Sequence, residues 1–219
     1  MQMLNIGILI FDDLELGVEN AVRQPIEIKG SVVGDNQIFR RCLMQPASAS
    51  DMQPAISLLE KTPRLLDTLL GDLPGELLQW KPAPDRWSIS EVLAHLAALE
   101  QVYVERAVRM VAEDSPALAK YDQAGAAERG DYSRGSAGEN LAHFTQTRRS
   151  TLALLAGLPG SAGARTGIHS ELGSITLTQM LHEWANHDLG HLRQMAELYR
   201  AHAFHPKSGP FMKYSKPKP

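Results

Sequence analysis

Residues 177–198 read LTQMLHEWANHDLGHLRQMAEL, a pattern typical of one long helix. At about 100° per residue, the apolar side chains and two histidines share one face of this helix. That face carries Leu177, Met180, Trp184, His187, His191, Met195 and Leu198. His187 and His191 are one turn apart, with roughly 6 Å between their side chains. This spacing suits two ligands of one metal ion, and it also arises by chance in any helix that contains histidine.

Working outward, capping boxes mark the starts of three helices. They begin with Ser88-Ile89-Ser90-Glu91, Ser136-Ala137-Gly138-Glu139 and Thr176-Leu177-Thr178-Gln179. An earlier helix begins near residue 52, contains Pro63, and ends at Gly71 and Pro74. We expect the segments 117–135 and 159–174 to be long loops. Four helices with two long connections predict an all-α fold, a four-helix bundle of about 150 residues.

A third ligand for the pair must come from another helix. His95 lies seven positions after Ser88 and shares a face with Leu99 and Val102. Its alternative role is a core histidine bonded to a backbone carbonyl. The other histidines have weaker claims. We expect His143 and His182 to be exposed, His169 to lie in a loop, His205 to lie in the tail, and His202 to be too far along the last helix.

Composition excludes several functional classes. The 219 residues include 22 basic and 25 acidic side chains, so no charge excess indicates a nucleic-acid partner. Cys42 is the single cysteine, which precludes an internal disulfide and fits a reducing cytoplasm. No apolar run approaches the roughly 20 residues of a membrane span, and the start does not resemble a signal peptide. We therefore expect a cytoplasmic protein with no membrane segment.

The two ends of the chain differ from the bundle. Residues 4–11, LNIGILIF, are typical of a strand, and the rest of 1–50 has weak periodicity. Residues 5–16 resemble the first strand and acidic turn of the DJ-1/PfpI family, but no nucleophile elbow follows, so no function is carried over. We expect 1–50 to be a poorly ordered extension, 51–205 to form the bundle, and 206–219 to be a basic, Pro-rich, solvated tail.

Two motifs carry a wider resemblance. Residues 80–96, WKPAPDRWSISEVLAHL, and residues 187–194, HDLGHLRQ, resemble the DinB-like superfamily. Its relatives include bacillithiol S-transferases and mycothiol-dependent maleylpyruvate isomerases, and the resemblance covers about residues 52–219. It implies a four-helix bundle, often a homodimer, with a divalent metal such as Zn or Ni held by the positions that match here, His95, His187 and His191.

Three neutral imidazoles leave at least one coordination position open. The resemblance then implies a metal-dependent thiol S-transferase that joins a low-molecular-weight thiol to a small electrophilic substrate. Two alternatives stay open, a metal-dependent small-molecule hydrolase and a non-catalytic, stress-associated metal-binding module. No catalytic residue can be assigned. Glu183, Asp188 and Gln194 would either orient the rings or lie on the surface, and Arg86, Arg106 and Arg193 would either form a polar rim or be solvated.

Overall fold

The structure is a computed structural model that describes residues 49–219, with side chains from Asp51 onward. The strand predicted at 4–11 and the extension predicted at 1–50 lie outside the described residues, apart from the first turn of a helix that begins at Ala49. Within 49–219, none of the helices combines the length and the apolar character that crossing a membrane requires.

Six α-helices form in residues 49–219. They are α1 (Ala49–Leu70), α2 (Gly75–Gln79), α3 (Ile89–Ala112), α4 (Gln123–Glu128), α5 (Ala137–Ala156) and α6 (Leu177–Tyr199). The three predicted capping boxes are all present, at the starts of α3, α5 and α6. Each satisfies backbone N–H groups that the first turn of a helix leaves without partners, which fixes where the helix begins.

The four long helices confirm the predicted bundle. α5 and α6 each pack against both α1 and α3. The first two long helices along the chain, α1 and α3, are therefore separated by the other two. Their inward faces form two apolar clusters. One cluster contains Leu59, Leu99 and Trp184, and the other contains Leu66, Phe144 and Met195.

Between these two clusters lies a set of polar side chains from three helices, which we call the polar layer. It consists of His95 and Glu100 from α3, Arg148 and Thr151 from α5, and His187, Asp188 and His191 from α6. Polar groups inside an apolar core must have partners, so their mutual contacts show what this part of the bundle does.

The prediction of two long loops was wrong in part, because each segment contributes at least one strand to a small sheet. β1 (Ala117–Leu118) pairs in parallel with β2 (Thr166–His169), and β2 pairs antiparallel with β3 (Gly173–Thr176). Gly167 permits this pairing, since a Cβ there would lie 2.6 Å from the Leu118 side chain. These strands are only two to four residues long, too short for a periodicity argument to detect.

After α6 the chain continues in single helical turns from Arg200 to Lys213. The predicted tail is partly tied to the bundle by polar contacts. The backbone N–H of Lys218 donates to Glu197, and Arg200 donates to Ser215. Phe211 and Tyr214 stay exposed and do not dock on the body.

Candidate metal centre

Three imidazoles converge between α3 and α6. Nε2 of His187 lies 3.2 Å from Nε2 of His95 and 3.2 Å from Nε2 of His191. Ring nitrogens bound tetrahedrally to one ion at 2.0–2.1 Å would be about 3.3 Å apart, so the observed separations fit a shared metal. Within residues 51–219 these three histidines form the cluster whose ligand atoms could hold a metal ion, and no fourth protein ligand belongs to it.

Aromatic rings surround the buried member of the cluster. The His95 ring is fully buried and packs against Trp87 at 5.0 Å and edge-on against Tyr132 at 5.2 Å between ring centroids. Tyr103 lies 6.1 Å from the His187 ring and stacks on Trp184. These rings exclude water from the His95 side of the cluster and hold the imidazole by shape. Among residues 51–219, Nδ1 of His95 is buried without a hydrogen-bond partner.

His191 is oriented differently, by a hydrogen bond. Its Nδ1–H donates to Oε1 of Gln194 at 2.8 Å, which leaves the lone pair on Nε2, the atom that faces the other two rings. Metal-binding histidines usually donate their second ring N–H to such an acceptor. Gln194, which the sequence left between two roles, therefore contacts a candidate ligand directly.

All three rings are held neutral. Burial, helped by repulsion from the neighbouring imidazoles, lowers the pKa of His95 to about 2. Burial likewise lowers the pKa of His187 to about 3, with smaller contributions from His191 and Arg148. The pKa of His191 is also lowered by burial, although Gln194 and Asp188 act in the opposite direction. Neutral imidazoles carry the lone pairs that a metal requires at neutral pH.

The rest of the polar layer is a buried ion network centred on Arg148. Its guanidinium donates to Glu100 at 2.8 and 2.7 Å and to Asp188 at 2.7 and 3.2 Å. A fifth N–H donates to the carbonyl of Leu59 at 2.9 Å. All five donors are therefore satisfied, and one side chain joins α5 to α1, α3 and α6.

This network was not predicted, although one signal was available. Arg148 falls on the same face of α5 as Phe144 and Leu155, and an arginine on an apolar face requires buried acceptors. Asp188 is 1% exposed, so its alternative role as a surface charge was wrong. Glu100 gave the same signal, because it lies one turn after Leu96 and one turn before Tyr103 on the buried face of α3.

The remaining predicted residues lie away from the cluster. His143 and His182 are exposed, as expected, and Nε2 of His182 contacts the carbonyl of Asp51. His169 lies in β2 and is buried, so its placement in a loop was wrong. The exposed His202 ring packs against Trp80, and His205 lies in a single turn after α6.

Three arginines were candidates for a polar rim. Arg86 donates to the main-chain oxygen of Pro219, and Arg106 donates to the carbonyl of Ala119 at 2.7 Å. Arg193 is exposed, as is the candidate orienting residue Glu183. Arg86 and Arg106 are thus each held by a main-chain oxygen of another segment.

Comparison with known proteins identifies the family. The sequence profile of the DinB superfamily matches residues 58–195, which include the three histidines and the whole polar layer. The chain belongs to the DinB superfamily. This membership confirms the resemblance carried by the two sequence motifs.

Two relatives extend the comparison. A protein of Oceanobacillus iheyensis named "Putative metal-dependent hydrolase OB0782" is 28% identical over 143 residues, which cover 65% of this chain and 83% of the relative. Among solved structures, YfiT from Bacillus subtilis superposes with a TM-score of 0.63 at 24% identity, covering 68% of this chain and 86% of YfiT. YfiT is described as "a probable metal-dependent hydrolase with an unusual four-helix bundle topology". At this identity the likeness to YfiT supports the fold.

Proposed function

We propose that His95, His187 and His191 hold one divalent metal ion through their Nε2 atoms. The convergence of these atoms from two helices, with separations of 3.2 Å, carries the proposal. Imidazole nitrogen suits Zn²⁺, Ni²⁺ and related ions, and the depressed histidine pKa values keep the three lone pairs available. The names of the two relatives point the same way.

The ligand count favours a reactive site over a purely structural one. Structural zinc sites are usually closed by four protein ligands, whereas three ligands leave a position for an exchangeable molecule. When bound, the ion supplies Lewis acidity, which lowers the pKa of a water or a thiol held there. The protein's own side chains orient and shield the ligand rings. Gln194 orients His191, and Trp87 and Tyr132 shield the ring of His95.

The reaction we propose is metal-dependent attack on a small electrophilic substrate. Hydrolysis, with water as nucleophile, is supported by the names of both relatives. Thiol S-transfer is the second candidate, because an open position on three imidazoles accepts a thiolate equally well and because the sequence motifs resemble those of thiol transferases. The low-molecular-weight thiol would then be a co-substrate. We also propose a homodimer in the cytoplasm, for which the mass in solution and cell fractionation are the measurements.

Cobalt substitution tests the open position. Co²⁺ bound at the cluster should give a visible spectrum that changes when azide, a halide or a low-molecular-weight thiol is added, with a sulfur-to-cobalt charge-transfer band for the thiol. The thiol band should weaken as pH falls, since binding requires the deprotonated sulfur. A cobalt spectrum that none of these ligands alters would contradict both enzymes and support a sealed, non-catalytic module.

Turnover assays separate the two enzymes. The zinc- and nickel-loaded proteins would be offered esters, amides and alkylating electrophiles, each with and without bacillithiol, mycothiol or glutathione. Product formed without thiol supports the hydrolase. Product that requires one thiol and contains its sulfur supports the S-transferase. His191→Ala lacks one proposed metal ligand and should form neither product, so it serves as the inactive control.

A further inference from the structure

Charge is distributed unevenly along the chain. Residues 200–219, which we call the basic segment, carry five basic side chains and no acidic one, whereas residues 51–199 carry 13 basic and 19 acidic side chains. Within residues 51–219, none of the four lysines of the basic segment takes part in an ion pair, and all four are exposed. They are Lys207, Lys213, Lys216 and Lys218. A concentration of unpaired positive charge favours an anionic partner.

The basic segment also exposes large apolar side chains. Phe211 and Tyr214 are 72% and 75% exposed, and Phe204 and Met212 are 55% and 38% exposed. Single exposed apolar side chains are ordinary on a protein surface, but several in one short stretch are typical of an interaction site. Phe204 and Phe211 line the same cleft, about 180 Å³ in volume, so they are also neighbours in space.

Contacts with the bundle hold the basic segment in place. Arg200 donates to Glu197, and the backbone N–H of Lys218 donates to the same carboxylate at 2.9 Å. The His202 ring packs against Trp80 with 5.0 Å between ring centroids. The segment therefore presents its cations and apolar side chains in one arrangement, which lowers the entropy that binding would cost.

We propose that the basic segment docks on the surface of an anionic phospholipid bilayer. The lysines meet the headgroups, and the exposed aromatic side chains enter the boundary between headgroups and acyl chains. A nucleic acid would also attract the lysines, but it would offer Met212, which has no flat face for base stacking, no apolar surroundings. Screening over about 8 Å limits repulsion from acidic side chains further along the bundle. The docking does not require the metal site of the proposed function.

Sedimentation of the full chain with vesicles tests the charge. We expect binding to vesicles of equal parts phosphatidylcholine and phosphatidylglycerol, weakening as salt is added, and no binding to phosphatidylcholine alone. Each lysine near an anionic surface strengthens binding about fivefold, so Lys213→Gln/Lys216→Gln should bind about 25-fold more weakly. The matched control, Lys61→Gln/Lys120→Gln, removes two exposed charges elsewhere and should bind within about twofold of the wild type.

Two tryptophan variants test the insertion of apolar side chains. Phe211 and Leu172 are equally exposed, but Leu172 precedes α6 and Phe211 follows it, and α6 is roughly 35 Å long. In difference spectra against the wild type, the added fluorescence of Phe211→Trp should shift to the blue on anionic vesicles, whereas that of Leu172→Trp should not. Phe211→Ser/Tyr214→Ser should bind these vesicles about tenfold more weakly or worse, with an unchanged thermal midpoint.

Four results would overturn the proposal. The first is no binding to phosphatidylglycerol vesicles at low salt, and the second is binding that Lys213→Gln/Lys216→Gln and Phe211→Ser/Tyr214→Ser both retain in full. The third is tighter binding to a single-stranded oligonucleotide than to the vesicles. The fourth is a wild-type dimer that Phe211→Ser/Tyr214→Ser abolishes, which would place a second copy of the chain on the segment. Metal content should be equal in all these proteins, so a failed vesicle experiment leaves the metal site unaffected.

Discussion

Replacing Arg148 with methionine should destabilise the metal-free bundle severely. The substitution removes five hydrogen bonds and leaves Glu100 and Asp188 buried with no cation between them. Breaking one buried ion pair by deleting a partner costs about 3–5 kcal/mol. Since one guanidinium serves two carboxylates here, we expect a loss at the upper end, about 5 kcal/mol. A typical domain has a free energy of unfolding of about 5–15 kcal/mol, so the variant would be marginally folded.

Urea unfolding in the presence of EDTA, followed by tryptophan fluorescence, measures this loss. Arg149→Met is the matched control, the same chemical change at the exposed neighbouring position, and should alter the free energy of unfolding by less than about 0.5 kcal/mol. The triple variant Arg148→Met/Glu100→Gln/Asp188→Asn should recover much of the loss, because no buried charge remains. A loss below about 1 kcal/mol in Arg148→Met would refute the reasoning, since breaking a buried ion pair costs about 3–5 kcal/mol.

Three further predictions follow from the site and the fold. His95→Ala, His187→Ala and His191→Ala should each lose stoichiometric metal in elemental analysis, whereas His143→Ala and His182→Ala should retain it. In EDTA-treated protein, the urea midpoint should be level above about pH 6.5 and fall below it. The pKa values of His95 and His187, lowered to about 2 and 3, mean that these rings take up protons only in the unfolded chain. His95→Gln should flatten that fall between pH 6.5 and 5, and a level wild-type profile there would contradict the burial argument. A chain beginning at Ala49 should fold and bind metal, because residues 49–219 contain the four long helices and both apolar clusters, and insolubility of that chain would contradict this.

The sequence was sufficient for the four long helices because their signals are local, whereas α2 and α4 were not predicted. A capping box occupies four consecutive residues, and the apolar face of α6 repeats within one helix, so both can be detected without knowing what the helix packs against. The two histidines of α6 lie on that face for the same reason. His95 could be placed inward by periodicity alone, and the structure brings its Nε2 to 3.2 Å from that of His187.

The polar layer could not be predicted because its partners are distant along the chain. Arg148 meets a carboxylate 48 positions earlier and another 40 positions later. No spacing rule connects residues on three helices, and the helical phase of Asp188 only placed it at the edge of the inward face. The strands were missed for a related reason. β1 and β2 pair across about fifty residues, and each is shorter than the window in which alternation can be recognised.

The position of the polar layer between two apolar clusters explains how one bundle can hold both a charged network and a candidate metal site. The clusters on either side keep water away from the ion pairs, which strengthens each electrostatic contact and raises the cost of leaving any group unpaired. Arg148 already joins all four long helices at this level, so α3 and α6 are held in register before an ion joins them. Metal binding would then add a link between two helices that are already fixed. The expected consequence is a rise in stability with ion concentration, as mass action requires, without a change in helix packing.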